Sequence, residues 1–230
     1  IVAVPLIIEK IIKKSVLPKL ETPAMKILLK VPIINDKIKA TVREEMIKAF
    51  GGNFKAVIVG GAAFNQEVEQ FLKMIDFPYT VGYGMTECGP IICYEDWRRF
   101  KPGSCGKAVP RMDVQVLSSD PENIVGEIVC KGPNVMLGYY KNEEATKATF
   151  KDGYFKTGDL GRIDENGWLY ITGRCKSVII TKNGKNVYPE ELEELLNKND
   201  FIEESLVTGD FNESRDDTEV TALIVPNMDS

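Results

Sequence analysis

Lys55-Ala-Val-Ile-Val59 is a short apolar run that ends on Gly60-Gly61-Ala62-Ala63. A helix-periodic stretch follows over 65–75, with Val68, Phe71, Leu72 and Ile75 on one face. The pattern is a buried strand, a glycine turn and an amphipathic helix. Such a β–turn–α unit places this part of the chain in an α/β layer with a parallel sheet. In sheets of that kind ligands bind at the carboxyl ends of the strands, where small residues let the backbone approach them. On the plainer reading, Gly60-Gly61 only make the turn.

The next strand is expected near 78–81, which puts the stretch after it on the same rim. That stretch is Val81-Gly82-Tyr83-Gly84-Met85-Thr86-Glu87-Cys88-Gly89-Pro90. It offers an aromatic face, two glycines, a hydroxyl and a carboxylate on a permissive backbone. These groups suit a nucleotide: the ring stacks on the base, the hydroxyl meets a phosphate and the carboxylate holds Mg²⁺. Taken alone, the same residues also describe a tight glycine turn with a solvated Glu.

The 230 residues are 43% hydrophobic and 27% charged, the balance of an ordinary soluble globular chain with one large or two modest cores. A net charge of −5 argues against a broad nucleic-acid-binding surface. The cysteines are Cys88, Cys93, Cys105, Cys130 and Cys175, an odd set with no CxxC spacing, so neither a disulfide framework nor a zinc site is indicated. There is no histidine, which removes Ser-His-Asp and Cys-His catalysis. Chemistry here has to run on carboxylates, Lys, Arg, hydroxyls and backbone groups.

Residues 5–14 read as a helix with Pro5 in its first turn and lysines at its end. The apolar opening carries Pro5, Glu9 and Lys10, too interrupted to span a membrane, and it lacks the marks of a signal peptide. A second helix is expected over 36–50, with Ile38, Val42, Met46 and Phe50 at four-residue steps and Gly51-Gly52 ending it. The span between the two helices, with Pro18, Pro23 and Pro32, gives no clear element.

From Lys101 to Arg174 the runs shorten and alternate: 113–117, 126–130 and 167–172, separated by Asp120-Pro121, Gly132-Pro133, Asp152-Gly153 and Asn166-Gly167. This describes a small β-subdomain of barrel-like character. Beyond it, 177–181 and 186–188 flank Asn183-Gly184 as a hairpin. A helix then starts at Pro189, and two strands follow near 205–209 and 219–225, a fresh α+β unit.

Two common nucleotide motifs fail. GxxxxGK[ST] is absent, and the frame from Gly82 and Gly84 reaches Glu87 where GxGxxG needs glycine. Thr157-Gly158-Asp159 offers a carboxylate able to accept both hydroxyls of a ribose, or an Asp closing a β-turn. Gly173-Arg174 offers a rigid fork of donors, or a surface Arg before a strand.

Singly these motifs are weak, but their order is specific. A strand-Gly-Gly-Ala turn, Tyr83-Gly84-Met85-Thr86-Glu87, Gly126-Glu127-Ile128 with Gly138-Tyr139-Tyr140, Thr157-Gly158-Asp159 and Gly173-Arg174-Cys175-Lys176 follow one another. The set resembles the adenylate-forming superfamily over about Val4 to Glu193. The run Val4 to Ile11, Phe50-Gly51-Gly52 and Gly82-Tyr83-Gly84 resemble its long-chain fatty acyl-CoA synthetase branch.

The resemblance implies ATP-dependent activation of a long-chain fatty acid to an acyl-adenylate, then transfer to coenzyme A. It implies ATP, Mg²⁺ and CoA as cofactors, a cytoplasmic place and peripheral membrane contact through the fatty substrate. It implies Gly61 and Ala62 along the adenine, Tyr83 stacked on it, Thr86 at the phosphate and Glu87 at Mg²⁺. Asp159 and Arg174 would take the ribose, Lys176 would be the hinge of a mobile C-terminal domain, and Gly184 would leave room for the pantetheine arm. The domains implied are the rear of a large α/β domain (1–100), its β-subdomain (101–175) and the start of an α+β lid (176–230).

The family also has a Ser/Thr/Gly-rich phosphate loop upstream and a Lys near its C-terminus. Neither lies in these residues, so an internal segment of a longer enzyme, inactive alone, is expected. Two alternatives stay open: an adenylating enzyme with another acyl substrate or acceptor, such as a carrier protein, and a non-catalytic nucleotide-binding module.

Overall fold

A computed structural model describes residues 1–12, 16, 32–199, 201–212 and 217–228, without the side chains of 32–35, 212 and 217. The chain forms two compact units. The first is Ile1–Met112 with Pro133–Met136, and the second is Asp113–Gly132 with Leu137–Ser230.

The first unit is built on a parallel sheet of β1 (Val2–Ala3), β2 (Val57–Val59) and β3 (Tyr79–Val81), in that order. Parallel neighbours need a crossover, supplied between β2 and β3 by a helix over Gln66–Met74. Its Asn65 cap accepts the Val68 N–H at 3.1 Å, and Glu67 and Glu69 sit in the positive first turn. Val68, Phe71, Leu72 and Ile75 are all buried, as the helical spacing predicts.

Among the described residues, two further helices precede it. α1 (Pro5–Ile11) has proline in its first turn; residues 13 and 14 of the expected helix lie outside the described residues. α2 (Pro32–Ala49) begins at Pro32, before the predicted start at 36, because proline costs no hydrogen bond in a first turn. The crossover helix is thus α3. At the end of α2, Gly52 N–H donates to Ile47 O at 2.8 Å and Gly51 N–H to Lys48 O at 2.9 Å. Both glycines have φ near the left-handed region, 91° and 75°, so the Gly51-Gly52 pair closes a Schellman cap. Phe50, Phe54 and Phe77 pack ring to ring beyond it, with centroids 5.9–6.1 Å apart. Of the predicted apolar face only Met46 is fully buried; Ile38, Val42 and Phe50 are half-covered.

A second sheet completes this unit: β4 (Tyr83–Gly84), β5 (Ile91–Tyr94) and β6 (Lys107–Ala108), all antiparallel. Against it, the 101–104 turn reaches α3, where Gly103 N–H donates to Glu69 Oε2 at 2.8 Å. Glu69 is 5% exposed, and burial raises its carboxyl to about pKa 7. The folded state therefore holds a proton that the unfolded chain releases near pH 4.5, so stability falls as pH rises from 4.5 to 7 and then levels. Glu69→Gln is expected to abolish that slope and to gain about 3 kcal/mol above pH 7. Thermal unfolding of both forms between pH 5 and 8 checks this; parallel pH profiles would refute it.

The second unit carries an antiparallel sheet of β7 (Asp113–Leu117), β8 (Gly126–Lys131), β10 (Tyr154–Ile163) and β11 (Leu169–Arg174), ordered β11-β10-β8-β7. A short helix α4 (Glu143–Thr149) leads into β9 (Phe150–Lys151), which pairs with β10. Asp152 and Gly153, at φ 52° and 80°, form the two-residue turn between β9 and β10, the primed geometry that matches strand twist.

A hairpin of β12 (Ile179–Ile180) and β13 (Asn186–Val187) follows, then α5 (Pro189–Leu196). A long hairpin of β14 (Ile202–Asn212) and β15 (Asp217–Pro226) packs on α5. Glu193 accepts the Val207 N–H at 2.8 Å and Ser205 donates to Asn197 Oδ1 at 2.9 Å, tying α5 to β14. Among the described residues no helix is long and apolar enough to cross a membrane.

Candidate nucleotide-binding residues

The carboxyl ends of the parallel strands form the first group. Gly60 N–H donates to Ala3 O at 3.2 Å and Gly82 N–H to Val59 O at 2.9 Å, which extends the ladder one residue past each strand. A Cβ on Gly60 would come within 3.0 Å of the Gly82 carbonyl. The Gly60-Gly61 and Gly82-Tyr83 turns therefore lie side by side on one rim, as the sequence predicts. Gly61 has φ 90°, a conformation glycine adopts without strain. Gly61 and Ala62 are exposed, whereas Tyr83 is 7% exposed and anchored in the β4–β5 pair.

After Tyr83 the chain doubles back. Met85 N–H donates to Pro90 O at 2.8 Å, and a one-turn 3-10 helix fills the span Thr86–Cys88. A Cβ on Gly84 would fall on the Pro90 carbonyl, so this backbone crossing tolerates glycine alone. The turn leaves Thr86 exposed, Glu87 half-buried and Cys88 buried as its anchor. A hydroxyl and a carboxylate are thus adjacent on a single short turn. Among the described residues no three Asp, Glu, Cys or His side chains gather as a cation cage. One carboxylate is the protein's usual share for Mg²⁺ when phosphate oxygens and waters supply the rest, so Glu87 fits that ion.

The second unit holds the remaining candidates. Thr157-Gly158-Asp159 is neither a turn nor a strand end: it lies inside β10. Lys156 pairs with Val129 of β8 and Leu160 with Glu127, so β10 carries extra residues against its partner there. They form a bulge, with Gly158 at φ 73°. Thr157 Oγ1 donates to Ile128 O at 2.8 Å and accepts the Asp159 N–H at 3.1 Å. Asp159 is buried and stands opposite Arg174 in the β10–β11 register. There Arg174 Nε donates to Asp159 Oδ1 at 3.0 Å, and Cys175 N–H donates to Gly158 O at 2.8 Å.

The Arg174 side chain remains 66% exposed, so the pair contributes little to stability while keeping a cation at the surface. The resemblance put Asp159 and Arg174 at one ribose, but nothing in the sequence showed that they face each other. Thr157 was named in that motif without its role: its hydroxyl, two positions before the Asp, holds that residue's backbone. The spacing was the only signal, and it is a common one.

Lys176 is exposed in the turn that follows β11, closed by Ser177 N–H to Arg174 O at 3.1 Å. Gly184, at φ 71°, sits in the exposed β12–β13 loop, where Gly184 N–H donates to Thr181 O at 2.8 Å and Thr181 N–H to Lys185 O at 3.1 Å. Five residues, 181–185, join the two strands.

The AMP-binding enzyme family model matches residues 1–140, which include the rim, the 86–88 turn and β8. The chain belongs to the AMP-binding enzyme family. This family member is 37% identical over 169 residues to the long-chain-fatty-acid–CoA ligase FadD15 of Mycobacterium bovis, covering 74% of the chain and 27% of that protein. It is 35% identical over 178 residues to the 2-succinylbenzoate–CoA ligase of Listeria innocua, covering 75% of the chain and 37% of the relative. Among solved structures, o-succinylbenzoate coenzyme A synthetase (MenE) of Bacillus subtilis in complex with ATP and magnesium ion superposes with a TM-score of 0.67 at 28% identity, covering 81% of this chain and 40% of that one. The family member thus spans between about a quarter and two fifths of the lengths of these proteins.

Proposed function

We propose that the protein to which this chain belongs activates a long-chain fatty acid with ATP and passes the acyl group to coenzyme A. The observation that carries the reading is the β10–β11 register, which sets a buried carboxylate, Asp159, opposite Arg174. Asp159 has the acceptor oxygens that the two hydroxyls of a ribose require, and Arg174 the donors for oxygens beside them. Gly61 and Ala62 would lie along the adenine with Tyr83 stacked on it. Thr86 would meet the α-phosphate and Glu87 would hold Mg²⁺, which supplies charge neutralisation when bound.

The chemistry needs little else from the protein. A fatty carboxylate oxygen bonds to the α-phosphorus as the bond to pyrophosphate breaks. The CoA thiolate then attacks the acyl carbon and AMP leaves. Neither step needs a histidine; alignment and charge stabilisation carry the first. Lys176 would be the hinge between residues 1–175, comprising a large-domain part (1–100) and a β-subdomain (101–175), and a lid from 176 onward. The exposed loop with Gly184 would admit the pantetheine arm of CoA.

Long-chain substrate choice is supported by the likeness to the Mycobacterium bovis ligase. The likeness to 2-succinylbenzoate–CoA ligases favours a second reading, a smaller aromatic acid at the same nucleotide site. Pyrophosphate release by the full-length protein with hexadecanoate or 2-succinylbenzoate, with and without CoA, separates them. Hexadecanoate is expected to exceed 2-succinylbenzoate by at least about tenfold in kcat/KM, with CoA-dependent turnover. The reverse preference would refute the long-chain reading, and turnover indifferent to CoA would refute the acceptor.

A further inference from the structure

Pro133–Met136 belongs to the first unit although the chain on both sides of it belongs to the second. The segment lies along the turn that carries Thr86 and Glu87. Asn134 Nδ2 donates to Cys88 O at 2.6 Å and to Ile91 O at 2.8 Å. Met136 N–H donates to Glu87 O at 2.7 Å. A Cβ on Gly89 would come within 3.3 Å of the Asn134 carbonyl, so glycine lets the two backbones approach. Three donors from one short segment thus engage three carbonyls across residues 87–91.

The orientation of the Asn134 amide follows from its partners. Two carbonyl oxygens can be met only by an NH₂ group, and both of its hydrogens are used. Asn134 Oδ1 is buried and has no partner among the described residues, so the side chain is held through its donors alone. An aspartate at this position would turn a carboxylate towards two carbonyl oxygens, and a leucine would leave both unmet. The residue is therefore specified by the turn it holds.

We propose that Asn134 is a positioning residue for the Thr86–Glu87 turn, fixing its backbone so that hydroxyl and carboxylate are presented before a magnesium–nucleotide arrives. The inference rests on the assignment of Thr86 and Glu87 to phosphate and metal made above. Exposed Thr86 and half-buried Glu87 lie on one helical turn of three residues. Without the clamp that turn must order during binding, and the ordering cost falls on the step that uses Mg²⁺ and ATP. The fatty-acid and CoA steps do not carry it.

The test uses the full-length enzyme with Asn134→Asp, Asn134→Ala and, alongside, Glu87→Gln. Both Asn134 variants are expected to speed amide hydrogen exchange over 85–91 in the absence of nucleotide by about tenfold or more. They are expected to lower kcat/KM for ATP by about 10- to 100-fold and to raise the Mg²⁺ concentration needed for half-maximal rate by about tenfold, with the KM for fatty acid unchanged. A purely structural lesion would instead move every parameter together. Asn134→Asp, matched in volume, supplies the result if Asn134→Ala does not fold. Unchanged loop exchange would overturn the clamp, and faster exchange with a wild-type Mg²⁺ dependence would overturn the positioning role. A wild-type Mg²⁺ dependence in Glu87→Gln would overturn the metal assignment and this proposal with it, while the exchange data would still report whether the contact holds the turn.

Discussion

Asp159→Ala in the full-length enzyme should raise the KM for ATP by about 100-fold, because one carboxylate is assigned two charge-assisted hydrogen bonds to the ribose. The fold should survive the change. Thr157 would still bridge to Ile128 O of β8, and Cys175 N–H would still reach Gly158 O, so β10 keeps its support on both sides. Arg174, already 66% exposed, would be released to solvent and not stranded in the interior. The loss of that pair should therefore cost only about 0–1 kcal/mol of stability. Arg174→Ala should weaken ATP binding less, by about tenfold, since guanidinium contacts at an exposed site are partly replaced by water. ATP-dependent pyrophosphate exchange at several ATP concentrations reads both. A wild-type ATP KM in a folded Asp159→Ala protein would end the assignment of this bulge to the ribose.

Glu87→Gln should lower the rate of adenylate formation by about 100- to 1000-fold, the size of effect seen when a preorganised charge-stabilising group is removed from a transition state. The substitution keeps the side chain's volume and shape. It leaves the turn's backbone intact as well: Met136 N–H still meets the residue 87 carbonyl, and Met85 N–H still meets Pro90 O. What is lost is the negative charge that would hold Mg²⁺ beside the α-phosphate. The deficit should shrink as Mg²⁺ is raised, and single-turnover measurement of acyl-adenylate across a Mg²⁺ series shows this directly. An unimpaired rate at low Mg²⁺ would remove Glu87 from the metal site.

How much of this was legible before the structure differs from element to element. The β2–α3–β3 unit was plain, because a strand, a glycine turn and a 3.6-residue period are local patterns with local causes. The Gly51-Gly52 cap was equally plain, since successive left-handed residues demand glycine. The longest strand of the β-subdomain, Tyr154–Ile163, was not read as a strand. Its inward positions are Phe155, Thr157, Asp159 and Gly161, so the buried face lacks the apolar alternation that identifies a half-buried strand. The bulge explains why polar residues occupy it: they bond to the backbone and to Arg174 instead of packing.

The sequence by itself determined the parallel rim, the glycines that let two turns meet on it, and the identity of the groups available there. Those follow from side-chain chemistry and from periodicities within a dozen residues. Only the tertiary structure decided that Asp159 faces Arg174 across the β10–β11 pair, and that Asn134 reaches back 43 and 46 residues to the carbonyls of Ile91 and Cys88. Hydrogen bonds between segments so far apart depend on strand register and backbone direction, and these leave no periodic trace in the order of residues. The turn that carries Thr86 and Glu87 is thus visible in the sequence, while the residue that holds it still is visible only in the fold.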